Sequence, residues 1–401
     1  MIGVIGLGHV GLILATCLSQ KQTVYGYDTV EEKMKNLANN ILPFYEPQLE
    51  DLYNHQHKKG FFLSNLKLLV ENCDIIFLCL PVKTEDKNED VEYLVQEIKK
   101  ILDLSKTHKI IVIKSTVLPG TCSKLKQLLW KYDFDLIMSP EFSTEGSAVS
   151  DFFKERVVLG VSLGTKEEDI PECLLPISRE NLVITNYETA EFIKYLSNCL
   201  LATMISFSNE MANIAETLGN IDIKTAFETL HKDRRFKDGS IKNWVYPGCG
   251  YGGYCLPKDT IALANEIIRK NGQAPLLKQT IKTNSDRIYE FIKKIVRETS
   301  GEKIQKIGIL GLSFKFETSD IRNSVAIPMV ENILESQYSV IAYDPLAMEE
   351  FKKLFPDIEY ASSVDDLIAR ADLVVVLNKN PEYKKVKYSK KPYIDGRYFI
   401  D

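Results

Sequence analysis

The sequence predicts an α/β protein in which two doubly wound parallel sheets flank a helical middle. Three observations predict it. Short unbroken apolar runs alternate with helical segments through the first half. A thirty-residue central stretch keeps helical spacing throughout, and the opening pattern of apolar run, glycine turn and acid returns near residue 306. Strands covered by helices on both faces read as continuous apolar runs, which is how parallel sheets look in sequence.

The first run, "MIGVIGLGHVGLILATCLSQ", reads as a buried strand, a glycine turn and an apolar helix. "TVYGYD" (23–28) is the next strand and ends in an acid; "CDIIFLCLPV" (73–82), "KIIVIKSTV" (109–117), "FDLIMSPE" (134–141) and "RVVLGV" (156–161) follow. From Thr189 to Leu218, Phe192, Ile193, Leu196, Leu200, Met204, Phe207, Met211, Ile214 and Leu218 recur at helical spacing. Thr189 suits an N-cap and Gly219 the residue after the last turn. Thirty residues at 1.5 Å each make roughly 45 Å of helix, a spine between domains and a candidate dimer contact. Further helices reach about residue 299. Then "KIGILGLSFK" (306–315), "SVIAYDP" (339–345) and "ADLVVVLNK" (371–379) repeat the opening theme. The expected domains are 1–186, 187–299 and 300–401.

Gly6-Leu7-Gly8-His9-Val10-Gly11 is a GxGxxG between a strand and a helix. The first glycine makes the turn, the second admits a pyrophosphate against the backbone, and the third lets helix and strand pack closely. Asp28 stands 22 residues after Gly6 at the end of the second strand, where an acid binds a ribose 2′-hydroxyl and repels a 2′-phosphate. The first unit therefore reads as a Rossmann domain for NAD, and the second as Rossmann-like without the fingerprint. The second turn offers Gly308 and Gly311, then Lys315 and Arg322, which are either surface charge or a site for an anionic ligand.

Other polar groups have matched spacings. Lys194 and Asn198 lie four apart on the long helix, as do Glu141 and Glu145 in "SPEFSTEG", and Thr116 ends a strand in "KSTVLPGT". The most unusual stretch is "PGCGYGGYCLPKDT" (247–260). Cys255 precedes a helix with Pro257 in its first turn, beside Lys258; a helix N-terminus and a cation both favour the thiolate a nucleophile needs.

Taken in order, "GLGHVGL", "PFYEP", "KSTVLPGT", "SPEFSTEG", "EFIKYLSN", "GCGYGGYCLPKD" and "SFKFETSDIRNS" resemble the nucleotide-sugar dehydrogenases over nearly the full length. The resemblance implies oxidation of a sugar's primary alcohol to a carboxylate with two NAD molecules in turn. It implies that Cys255 attacks the aldehyde and carries a thiohemiacetal and then a thioester. It gives Lys194 and Asn198 to oxyanion stabilisation, Asp259 to water or proton handling, and Glu145, Thr116 and Glu141 to the hydrolytic water. On the same likeness, Gly6, Gly8, Val10, Gly11, Asp28, Lys33, Pro81, Thr84, Thr116, Glu145, Lys258 and Arg322 would line the cofactor site. The substrate would meet Glu141, Phe142, Glu145, Lys194, Asn198, Tyr246, Tyr251, Gly252, Cys255, Phe314 and Lys315, with Arg235 reaching in from the partner of a homodimer. The glycines around Cys255 read as room for the nucleotide sugar, and Cys249 as a bystander. "YIDGRY" (393–398) is a family element with no role assigned.

The family's "EFLREG" is here "EFSTEG", so Ser143 and Thr144 replace a leucine and an arginine near the sugar. Glu145 and "GGYC" favour UDP-glucose over UDP-N-acetylhexosamines, and GDP-mannose stays open. A net charge of -5 gives no sign of a nucleic-acid surface. No apolar run approaches the about 20 residues of a membrane span, and no leader segment is expected. The eight cysteines form no CxxC pair, pointing to a reducing, cytoplasmic setting. His55 and His57 are read as a polar turn, with no metal site expected.

Overall fold

A computed structural model describes residues 1–82, 87–154, 156–175, 179–233, 244–299 and 304–400. The chain divides into two compact units, Met1–Leu196 and Ser197–Asp401.

The first unit holds an eight-stranded sheet: β1 (Ile2–Ile5), β2 (Val24–Tyr27), β3 (Phe61–Leu63), β4 (Ile75–Leu78), β5 (Lys109–Ile113), β6 (Phe134–Met138), β7 (Val157–Gly160) and β8 (Leu182–Thr185). Their order is β3-β2-β1-β4-β5-β6-β7-β8. Ile2 of β1 stands opposite Val24 of β2 and Ile75 of β4 in parallel register. The short edge strands β3 and β8 had no signal strong enough to be read from sequence. Alternation explains the unbroken apolar runs. Phe77 packs with Val4, Leu12 and Val112 in one layer, while Ile76 and Leu78 pack with Ile98, Ile111 and Leu125 in the other.

One pairing departs from the expected parallel sheet: β7 runs antiparallel to β6, meeting it at Met138 and Gly160. Antiparallel neighbours are joined at one end without a crossover. The whole connection, with the short helix Ala148–Phe152, therefore stays at the carboxyl end of β6. That keeps "SPEFSTEG" on the edge where open α/β sheets bind ligands.

The second unit has a five-stranded sheet of β9 (Lys306–Leu310), β10 (Ser339–Tyr343), β11 (Glu359–Tyr360), β12 (Leu373–Val376) and β13 (Tyr393–Asp395). The order is β11-β10-β9-β12-β13, with every pair parallel. Ile307, Ile309, Met329 and Val375 fill one face, and Leu310, Ile341, Leu367 and Val374 the other. The helices Ile223–Leu230, Cys255–Arg269 and Pro275–Thr299 belong to this unit.

The long helix spans Tyr187–Leu218. Its cap is Asn186, not Thr189: the Asn186 side chain accepts from Thr189 N at 2.8 Å, because the helix begins a turn earlier than its apolar pattern. Gly219, at φ +72°, donates to Ala215 O and closes the other end. In the second unit its large apolar residues Leu200, Phe207, Ile214 and Leu218 are exposed, while Ala202, Ser206, Asn209 and Ala212 are buried. Small residues permit close helix approach: Ser206 Oγ donates to Thr280 O at 2.9 Å, and Thr203 meets Thr280 at 3.1 Å. The periodic stripe is thus an outer face.

Candidate active site

In the first unit the glycine turn divides its work between fold and ligand. A Cβ on Gly6 would stand 2.5 Å from Cys79 O, and one on Gly11 1.9 Å from Gly6 O, whereas one on Gly8 meets nothing within 4 Å. The first and third glycines are required by the chain's own packing. The second leaves open room above the N-terminus of the helix His9–Leu18, the place a pyrophosphate needs. Val10 lies in that helix's first turn. Asp28 accepts Leu7 N at 2.9 Å, Val30 N at 2.9 Å and Lys33 Nζ at 2.6 Å. Burial pushes its carboxyl up, but Lys33 and the two backbone N–H groups outweigh this and hold it below the usual range. Lys33 thus stands directly beside Asp28. Pro81 is exposed just past β4, and Thr84 lies outside the described residues.

The carboxylate loop of this unit is held at several points. Glu141 accepts Ser143 N at 2.9 Å and pairs with Lys114 at 2.9 Å. Burial would raise its carboxyl, yet Lys114 and the Ser143 backbone hold it at about 2. Phe142 carries Lys194 5.4 Å from its ring centroid and Arg156 4.8 Å from it. Glu145 is half-buried next to Gly146, whose N donates to Glu46 at 2.8 Å. Glu46 also accepts Ala148 N and meets His9 Nε2 at 3.2 Å, tying this loop to the glycine turn. Thr116 is half-buried beyond the end of β5. On the long helix, Glu191 accepts Gly120 N and Cys122 N at 2.6 and 2.7 Å, holding the "STVLPG" loop against the helix that bears Lys194.

In the second unit Cys255 is the first residue of the helix Cys255–Arg269. It is the one exposed cysteine of eight, none in a disulfide. Burial pushes the other seven thiols well above the ordinary range. Asp259, one turn along, is fully buried and accepts Asn198 Nδ2 and Lys258 Nζ, each at 2.5 Å. Lys258 thus directs its charge at Asp259.

The glycines before Cys255 have a different use from the one expected. A Cβ on Gly252 would stand 2.1 Å from Asn323 O, one on Gly253 2.9 Å from the Phe314 ring, and one on Gly248 2.7 Å from Arg397 Nη1. Gly250 sits at φ +119°. The room they leave is filled by the chain itself, and the loop is fastened tightly. Asn284 Oδ1 accepts Tyr251 N at 2.7 Å, and the buried Arg287 donates to Gly248 O at 2.8 Å. Asn323 Nδ2 donates to Gly253 O at 2.9 Å. Cys249 donates its thiol to Gly396 O, which gives the bystander a packing role. Tyr246 donates its hydroxyl to Tyr398 O at 2.9 Å.

Of the other expected cations, Arg322 is engaged by Asp320 through Nε and Nη2 and lies 4.6 Å from the Tyr254 ring. Lys315 Nζ is 5.6 Å from the Phe314 ring. Arg235 lies outside the described residues. Lys114, Glu46, Glu191, Asn284 and Arg287 escaped the sequence reading, because their partners are remote in sequence and no spacing betrays them. Lys114, Glu46 and Glu191 did lie inside quoted motifs, "KSTVLPGT", "PFYEP" and "EFIKYLSN".

The descriptions of one family match three consecutive parts of the chain. They are the NAD binding domain of the UDP-glucose/GDP-mannose dehydrogenase family at residues 1–174, its central domain at 188–286 and its UDP binding domain at 308–401. A UDP-glucose 6-dehydrogenase of Rickettsia conorii is 33% identical over 394 residues, 96% of this chain and 90% of that protein. TuaD of Bacillus subtilis, also a UDP-glucose 6-dehydrogenase, is 33% identical over 402 residues, 97% of this chain and 86% of that protein. Among solved structures, a UDP-glucose dehydrogenase from Pyrobaculum islandicum superposes with a TM-score of 0.88 at 27% identity, covering 99% of this chain and 94% of that one. A UDP-D-ManNAc dehydrogenase from Pyrococcus horikoshii shares the fold, with a TM-score of 0.81 at 24% identity over 99% and 95% of the two chains. With its glycine turn open for a dinucleotide, the chain belongs to the UDP-glucose/GDP-mannose dehydrogenase family and is an NAD-dependent oxidoreductase of nucleotide sugars.

Proposed function

We propose that the protein oxidises UDP-glucose to UDP-glucuronate in two steps at Cys255. The observation that carries this is the contrast among the cysteines: five are buried, two are half-buried, and the exposed eighth begins a helix one turn before a buried, hydrogen-bonded aspartate. The helix N-terminus stabilises a thiolate there. Gly8, Asp28 and Lys33 would hold NAD, which would supply the hydride acceptor.

The chain's own groups do the rest. Once the alcohol has become an aldehyde, the Cys255 sulfur adds to its carbonyl carbon and the oxygen becomes an oxyanion. Lys194 and Asn198 donate to that oxygen. Loss of hydride from this adduct leaves a thioester. Water, activated by groups assigned to that role (Thr116, Glu141, Glu145 and Asp259), adds to the thioester carbon, and the carbon–sulfur bond breaks to release carboxylate and thiolate. Tyr246, Tyr251, Phe314 and Lys315 are assigned to the nucleotide sugar, with residues 1–186, 187–299 and 300–401 as three domains.

A homodimer is supported by the exposed Leu200, Phe207, Ile214 and Leu218, an apolar stripe suited to a second copy. A cytoplasmic location is supported by eight cysteines without a disulfide. A second reading, GDP-mannose or a UDP-N-acetylhexosamine as substrate, is favoured by one observation: Ser143 and Thr144 put small side chains in the loop beside Glu141 and Glu145.

The test is a substrate panel with NAD, following NADH. UDP-glucose should yield two NADH per sugar; one NADH per sugar would defeat the two-step mechanism, and turnover with another sugar alone would establish the second reading. Cys255→Ser should lose steady turnover while keeping its fold by circular dichroism.

A further inference from the structure

In an open parallel sheet, ligands bind beyond the carboxyl ends of the strands, where neighbouring connections depart in opposite directions. In the second unit that point lies between β9 and β12, since β10 flanks β9 on one side and β12 on the other. The two strand ends come close: a Cβ on Gly311, just past β9, would stand 2.7 Å from the side chain of Asn378, just past β12.

Lys379 follows directly. Its Nζ lies 4.2 Å from the centroid of the Tyr246 ring and, among the described residues, makes no hydrogen bond or ion pair. The Arg397 guanidinium is in the same condition. Its Nε is buried with no partner, and its Nη1 is packed toward Gly248. Burial pushes the Lys379 ammonium down to about 8, with Arg397 adding to the shift and Asp395 opposing it.

Asp395, the carboxylate nearest to hand, is already taken. Its oxygens accept the backbone N–H groups of Arg397, Phe399 and Ile400 at 2.9, 2.6 and 2.7 Å. Tyr246, facing Lys379 from the loop before the cysteine, has its phenol pushed up to about 12, so it stays neutral at working pH. Two cations sharing one carboxylate that is already hydrogen-bonded elsewhere are costly to keep charged. An anionic ligand removes that cost.

We propose that Lys379 is a substrate-binding residue that receives the diphosphate of the nucleotide sugar, beside Arg397 and against the Tyr246 ring. The proposal rests on the nucleotide-sugar reading of the preceding subsection and deepens it. Only the charged ammonium binds the diphosphate, so nucleotide-sugar affinity falls as pH rises through the range where Lys379 loses its proton.

The test is calorimetric titration of the full chain with UDP-glucose between pH 6.5 and 9, with NAD titrated separately. Wild-type affinity should weaken about tenfold from pH 7 to 9, the factor by which the charged fraction falls for a group titrating near 8. Lys379→Arg keeps its charge throughout, so its affinity at pH 7 should stay within about threefold and the slope should vanish. Lys379→Met should bind roughly tenfold more weakly at pH 7 and show no slope. NAD affinity should not move in either variant. Wild-type affinity and slope in Lys379→Met, with the fold intact by circular dichroism, would overturn the proposal, as would a loss confined to NAD. If the wild type ignores UDP-glucose but binds GDP-mannose, the substrate reading fails, and the same variants titrated with GDP-mannose still decide Lys379.

Discussion

The two sheets begin alike and end differently. After β1 an aspartate accepts the N–H of the residue following the turn glycine, Leu7 N to Asp28 at 2.9 Å; after β9 the same bond recurs, Leu312 N to Asp344 at 2.9 Å. In the first unit a helix starts at once at His9, with open room above Gly8. In the second the next helix waits until Ala326, and the intervening loop brings Phe314, Lys315, Asp320 and Arg322. Asp344 is also consumed there, accepting Ser313 N, Ser313 Oγ, Asn378 Nδ2, Leu346 N and Ala347 N. The same strand–turn–acid start therefore serves two ends. Where the helix begins decides whether backbone N–H groups or side-chain cations gather past the end of the strand.

The largest way to break this contrast is Gly11→Val. Its Cβ would fall 1.9 Å from a backbone oxygen, so a loss of more than about 3 kcal/mol is expected in chemical denaturation. Gly8→Ala should leave stability nearly unchanged and still weaken NAD binding, which fluorescence titration would read. Next comes Asp344→Ala, which strands several buried donors. It should cost about 3 kcal/mol with no change in NAD affinity; a specific rise in the KM for NAD would mean that Asp344 is not a purely structural copy of Asp28. The smallest effect is expected from Lys33→Met. The Lys33–Asp28 pair is one quarter exposed on the lysine side, so its loss should cost under about 1 kcal/mol at pH 7. The Asp28 carboxyl is held below its ordinary value, so its stabilisation is present above about pH 4 and lost as pH falls further. The difference between wild type and Lys33→Met should therefore fade in denaturation at pH 3.

Much of this was legible from sequence. Continuous apolar runs announced both sheets, and the spacing from Gly6 to Asp28 announced the dinucleotide turn, because both signals are local. Cys255 stood out because glycines and a proline surround it. The antiparallel β7 was not legible, since strand direction depends on where a connection returns and not on composition. Nor was the outer face of the long helix: periodicity locates a stripe but not the side that faces solvent. The bracing groups Lys114, Glu46, Glu191 and Arg287 act across long stretches of chain, and a single sequence carries no mark of such pairs. The glycines at 248, 252 and 253 were recognised as important for the wrong reason. They yield space to Arg397, Asn323 and Phe314, which makes the cysteine loop stiff, whereas abundant glycine suggests pliancy.

The cysteine pattern has a consequence for how the enzyme ages. With five cysteines buried, two half-buried and one exposed at a helix end, peroxide and electrophiles meet Cys255 first. If Cys255 is the nucleophile proposed above, damage starts there and leaves the scaffold standing, so an oxidised molecule would be well folded and inactive. Such a population would keep its circular dichroism and be counted by its remaining thiol.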